Sequence, residues 1–182
     1  MSKIQTPVSL FAALLALVLS APTAAHEADA HNAAANASPR WSFAIHGGAG
    51  TMERANMTDE QQADYKAALQ ATLDAGSAIL RNGGTAAEAV KTAIVMMEDD
   101  PKFNAGRGAV FTWEGANELD AAIMLGESRA AGAVTGITSI KNPILLADAV
   151  MEDGRHVFLS GVGAEEFAAD ADLATAPAEW FA

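Results

Sequence analysis

The sequence predicts a layered α/β fold, and three observations carry that expectation. Short runs rich in Ala, Val and Ile recur between longer stretches with helical periodicity. The helical stretches carry their own start signals, two of them as four-residue capping boxes. One strand-like run is dominated by Gly and Ala, which permits close packing between layers. Residues 41–182 suit one ordinary domain, and no internal repeat interrupts them.

The elements follow in order. Trp41, Phe43 and Ile45 alternate with Ser42, Ala44 and His46, which reads as a first strand running into the turn Gly47-Gly48-Ala49-Gly50. Thr58-Asp59-Glu60-Gln61 is a capping box, and Tyr65, Leu69, Leu73, Gly76, Ile79 and Leu80 then fall on one helical face. Asn82-Gly83-Gly84 ends that helix, since these residues tolerate positive φ. Thr85-Ala86-Ala87-Glu88 opens a second helix with Ala89, Val90, Ala93, Ile94, Met96 and Met97 on its apolar side, and Asp99-Asp100-Pro101 closes it. The Met pair reads as core filling. Residues 109–113 and 119–124 read as two strands around a turn at 114–117, and residues 129–137 as a further strand. Asn142-Pro143 fits an N-cap followed by Pro at the first helical position, with the helix ending before Gly154. Residues 157–159 read as a short strand and residues 164–171 as a final short helix.

The start of the chain reads differently. Residues 1–25 resemble a secretory signal peptide, with Lys3 in the n-region and an apolar stretch at residues 10–19 that is too short to span a bilayer comfortably. Thr23-Ala24-Ala25 is the favoured cleavage site, Ala28-Asp29-Ala30 the alternative, and an uncleaved anchor the competing reading. Export to a periplasm or beyond is the expectation. Residues 26–40 read as a flexible linker, and His26, Glu27, Asp29 and His31 within it have no scaffold to fix a metal geometry. The formal net charge of −12 repels phosphate backbones, which argues against nucleic-acid partners. The absence of Cys excludes disulfides, thiolate chemistry and Cys-ligated zinc.

Two Gly-rich motifs stand out, His46-Gly47-Gly48-Ala49-Gly50 and Phe103-Asn104-Ala105-Gly106-Arg107-Gly108-Ala109-Val110-Phe111-Thr112. Taken alone, the first is a tight turn or a weak phosphate loop: no Gly-Lys-Ser/Thr follows, and Glu53 stands where a dinucleotide fingerprint needs its third Gly. Together with Glu118-Leu119-Asp120-Ala121-Ala122-Ile123-Met124, Ala131-Gly132-Ala133-Val134, Asn142-Pro143-Ile144 and Gly163-Ala164-Glu165-Glu166-Phe167-Ala168, the two motifs resemble, in the same order, the isoaspartyl peptidase / plant-type L-asparaginase family of N-terminal-nucleophile (Ntn) hydrolases. The His-Gly-Gly-Ala-Gly start points to the isoaspartyl peptidase branch rather than the glycosylasparaginase branch.

The resemblance implies the α-subunit half of an αββα Ntn-hydrolase sandwich. It implies a structural sodium ion held by backbone carbonyls, corresponding here to Met97, Glu98, Asp100, Phe103, Ala105 and Arg107, with Asp100 and Arg107 at positions where relatives vary. An ordinary Gly-containing loop is the competing reading. It implies that Asn104 helps fix the environment of a nucleophilic Thr, against the plainer reading of an Asn bonding its own turn. It implies that the processing loop of His46, Gly47, Gly48 and Gly50 packs close to the active site, with no role as base for His46. No cofactor is implied for the chemistry itself.

In that family the nucleophile is freed by cleavage of an internal Gly-Thr bond. Gly50-Thr51 lies inside the first loop and Gly84-Thr85 opens a helix, so neither fits, and the expectation is that the chain stops short of the nucleophile. The implied partners are a missing β-subunit, small-molecule substrates (L-asparagine and β-aspartyl dipeptides) and a second αβ unit in an (αβ)2 heterotetramer, with no membrane association after leader removal. The chain alone is expected to be inactive and poorly soluble. A non-catalytic exported binding protein on the same scaffold is the alternative, and a nucleotide-binding domain a more distant one.

Overall fold

The computed structural model describes residues 41–48 and 56–181. The leader, the linker, Ala49, Gly50 and Thr51 lie outside the described residues. Helix α1, Asp59–Arg81, and helix α2, Ala86–Glu98, both begin with the capping boxes read from the sequence. The Gln61 amide donates to Thr58 Oγ1 at 3.1 Å while Gln61 Oε1 accepts from the Thr58 amide at 2.9 Å. Glu88 repeats the arrangement, accepting from the Thr85 amide at 2.7 Å, and this bond from Thr85 holds its carboxyl below the usual range.

A three-stranded sheet follows, in the order β1 (Leu119–Met124), β2 (Ala131–Ile137), β3 (Phe158–Ser160). Strands β1 and β2 pair antiparallel, and β2 and β3 pair parallel through a crossover containing α3, Pro143–Asp153. The register is broken between Leu119↔Ile137 and Ala121↔Val134. Two residues of β2, Thr135 and Gly136, therefore stand against Asp120 alone, and Gly136 takes φ +64°. The Asp120 carboxylate accepts from Thr135 Oγ1 and, at 3.1 Å, from the Gly136 amide, so the bulge is held by its own side chain.

Gly132 explains how tightly the layers meet. A Cβ there would lie 2.0 Å from the Ala147 carbonyl oxygen and 2.6 Å from the Met151 amide nitrogen, so the α3 backbone rests directly on β2. Ile137, Ile140, Ile144, Leu146 and Val150 form the centre of the core beneath this contact. Helix α4, Gly161–Asp170, adds Ala164 and Ala168 to the core, and the short α5, Ala178–Phe181, adds the fully buried Phe181. The approach to α5 is tied down by the Ala176 amide to the Ser139 carbonyl at 2.8 Å and the Lys141 amide to the Ala174 carbonyl at 2.9 Å.

Three sequence expectations change. Residues 41–46 form no strand; their exposure alternates as expected, but they lie unpaired among the described residues, against helices rather than a neighbouring strand. A Cβ at Gly76 would meet the Phe43 ring at 2.4 Å, which places this segment on α1. Residues 109–113 are likewise not a strand: a single bridge, Phe111↔Asn117, joins a turn closed by the Thr112 amide to the Ala116 carbonyl at 2.7 Å. Alternation marks which side chains face inward, whereas a strand also requires a backbone partner. Thirdly, Asn142 holds the N-cap position of α3 with Pro143 first in the helix, as expected, but its side chain makes no cap hydrogen bond.

Candidate functional site

The His46–Gly48 turn and the Asn104 motif meet. Gly48 takes φ +100°, a conformation glycine adopts freely, and its amide donates to His46 Nδ1 at 3.1 Å. His46 thus accepts a bond from its own turn. A Cβ at Gly47 would touch Leu69 at 3.0 Å and Phe103 at 3.6 Å, and one at Gly48 would lie 3.9 Å from the Asn104 amide nitrogen. Phe103 is buried and meets Tyr65 edge-on at 6.4 Å between ring centroids. The aromatic pair seats the Asn104 turn on α1 beside the His46–Gly48 turn.

Asn104 is exposed, and its Oδ1 accepts from the Val110 amide at 3.0 Å. It therefore bonds its own turn, the plainer of the two readings, while its Nδ2 is without a partner among the described residues. A cavity of about 310 Å³ adjoins this turn, lined by Asn104, Glu98, Glu118 and Asp120 among others. It sits between the turn and the start of β1.

The residues of the implied cation loop form one continuous tight turn from the end of α2 to the 3-10 turn Gly106–Gly108. A Cβ at Gly106 would lie 2.4 Å from the Glu98 carbonyl oxygen, and one at Gly108 would lie 2.2 Å from that of Phe103 and 2.6 Å from that of Pro101. Only glycine leaves room for these carbonyls. The carbonyls of Met97, Asp100, Phe103 and Ala105 accept the amides of Asp100, Phe103, Ala105 and Gly108, and those of Met97, Glu98, Asp100, Phe103, Ala105 and Arg107 are the groups that would hold the implied cation. Among the described residues no cluster of His, Asp and Glu side chains is arranged to hold a metal.

Sequence reasoning missed the side chains around this loop. Glu98 is 3 % exposed, and its Oε1 accepts from the Ile144 amide at 3.0 Å at the start of α3. Burial raises its carboxyl to about 7, against the opposing hydrogen bond from the Ile144 amide. Next to it Asp99 accepts from Asn142 Nδ2 and from Lys141 Nζ, both at 3.2 Å. One signal was available: Glu98, Asp99 and Asp100 stand at a helix C-terminus, where the macrodipole favours cations. A second buried acid, Asp148 on α3, pairs with Lys91 on α2.

An asparaginase family model matches residues 39–182, and the chain belongs to that family. It is similar to the isoaspartyl peptidase of Escherichia coli (strain K12), 46 % identical over 126 residues, covering 69 % of this chain and 39 % of that protein. It is also similar to the human isoaspartyl peptidase/L-asparaginase, 44 % identical over 133 residues, covering 73 % of this chain and 42 % of that protein. The rat isoaspartyl peptidase/L-asparaginase is 50 % identical over 104 residues, covering 57 % of this chain and 31 % of that protein. The chain spans about two fifths of the length of the E. coli and human relatives.

Proposed function

We propose that this chain is the α part of a self-processing hydrolase of L-asparagine and β-aspartyl dipeptides, acting with a β part that supplies the nucleophilic threonine. The observation that carries the reading is the meeting of the His46–Gly48 turn with the Asn104 turn, in a chain belonging to the asparaginase family. The chemistry is acyl transfer. The Thr hydroxyl attacks the side-chain carbonyl, its own α-amine takes the proton, ammonia or the amine of the dipeptide leaves, and water releases aspartate from the acyl-enzyme. Asn104, whose Oδ1 is taken by the Val110 amide, supports the threonine's surroundings. Without the β part the chain is inactive.

The same reading gives the complete protein an αββα sandwich. Apolar side chains left on the surface, among them Phe111, Trp113, Met124 and Phe158, support a covering half. It also gives the loop of Met97, Glu98, Asp100, Phe103, Ala105 and Arg107 a structural sodium ion, the assembly an (αβ)2 form, and the protein an exported location. The test is to express the chain together with the reading frame that follows codon 182. Cleavage at a Gly-Thr bond, seen by mass spectrometry, and release of ammonia from L-asparagine and of aspartate from a β-aspartyl dipeptide are expected. An uncleaved product without hydrolysis would overturn the reading.

A further inference from the structure

We propose that the Glu98 side chain is the positioning residue of the Asn104 turn, clamping it to the first turn of α3. The inference goes beyond the hydrolase reading, which involves only the Glu98 backbone.

Two contacts converge on Glu98. Its Oε1 takes the Ile144 amide, one of the donors at the start of α3 that no residue of that helix can satisfy. The Asn142 side chain, which holds the N-cap position, is instead turned to Asp99. An acid from another helix therefore does the work of the missing cap, at the helix end where the dipole favours negative charge. On its other side Glu98 is pressed by Gly106: a Cβ there would lie 2.4 Å from the Glu98 carbonyl oxygen, 2.8 Å from its Cβ and 2.9 Å from its Cα. Gly106 lies two residues from Asn104, within the turn closed by the Val110 amide on Asn104 Oδ1.

The result is a stack of α3, Glu98 and the Asn104 turn, with Glu98 in contact with both neighbours. Asp99 braces it through Lys141 and Asn142. If Glu98 loses its grip on Ile144, the end of α2 is free to shift, and the turn resting on it shifts too. A space-filling role would need only a side chain of similar volume. The clamp needs an acceptor at one place, which Gln supplies and Ala does not.

The experiment is hydrogen exchange by mass spectrometry on the longest soluble form of the chain, either the 182 residues or their in-frame extension. Parent, Glu98→Gln and Glu98→Ala are compared. In Glu98→Ala, exchange across residues 99–110 and in the first turn of α3 rises about tenfold while α1 keeps its protection. In Glu98→Gln both segments stay within about twofold of the parent. Should Glu98→Ala not fold, Glu98→Asp, one methylene too short to reach Ile144, takes its place with the same expectation. The proposal is overturned if residues 99–110 keep their parent rate, if all elements accelerate equally, or if Gln is as disruptive as Ala. Amide exchange does not depend on turnover, so this result stands or falls separately from the hydrolase reading.

Discussion

Glu165 on α4 reaches the end of β2, where one oxygen accepts from the Thr138 amide at 2.7 Å, the Thr138 hydroxyl at 2.8 Å and the Ser139 amide at 3.0 Å. Burial pushes its carboxyl upward, but these donors outweigh it and leave the group below its ordinary 4.5. The unfolded chain consequently takes up this proton first as pH falls. The stabilisation is present above about pH 4.5 and is lost below it. Glu165→Gln should flatten the acid limb of a plot of melting temperature against pH, leaving the neutral region changed only by the weaker acceptor. An unchanged acid limb would show that other carboxylates dominate. At this scale the sequence was legible where partners are near: Thr58 with Gln61, Thr85 with Glu88. It was illegible where they are far, since Glu98 and Ile144 are 46 positions apart. Nothing in a window of local sequence carries such a pairing.

Among the elements, the helices were readable because capping and apolar spacing are local properties. Thr85→Ala should remove the side-chain half of a capping box, leaving the backbone amide on Glu88, and cost about 1 kcal/mol, measurable by denaturant unfolding. The strands were harder. Residues 41–46 and 109–113 have strand-like composition, yet a strand needs a backbone neighbour, and topology decides whether one arrives. The Gly- and Ala-rich run was the exception, since its small side chains announced the close approach of α3 seen at Gly132. Gly132→Ala places a methyl against helix backbone that cannot rotate away, so a loss of about 3 kcal/mol or more is expected in the same measurement. A Gly132→Ala chain as stable as the parent would mean that α3 can lift off the sheet. The loop from α2 to the 3-10 turn gives a prediction of its own. Exchanging NaCl for choline chloride at equal ionic strength should lower the melting temperature; at sodium ten times its dissociation constant, linkage supplies about 1.4 kcal/mol. Equal melting in the two salts would remove the sodium proposal.

The whole molecule keeps apolar groups at its surface. Trp113 is 98 % exposed at the tip of the turn that was expected to be a hairpin, while Trp180 packs edge-on against Phe181 with Lys141 over its ring. The described residues therefore contain a tryptophan that reports on solvent. In the 182-residue chain the emission should carry a red-shifted component that Trp113→Phe removes. In a protein extended by the following reading frame, burial by a covering half should shift that component to the blue. An unshifted spectrum in the extended protein would place Trp113 outside any such interface. The same surface underlies the expectation of poor solubility, and removing Trp113 should also raise the concentration at which the 182-residue chain aggregates.

The acid that caps α3 from α2 also ties the order in which the molecule can assemble. A ribosome releases Glu98 long before Ile144, so for the time it takes to make the intervening residues the carboxylate has no amide to receive. The segment between them contains the whole of β1 and β2, and pairing of these strands shortens the loop that has to close. Starting α3 and closing the α2-to-α3 circuit become a single kinetic event. A pause or misfolding in the sheet would leave the first turn of α3 without its cap and the Asn104 turn without its support.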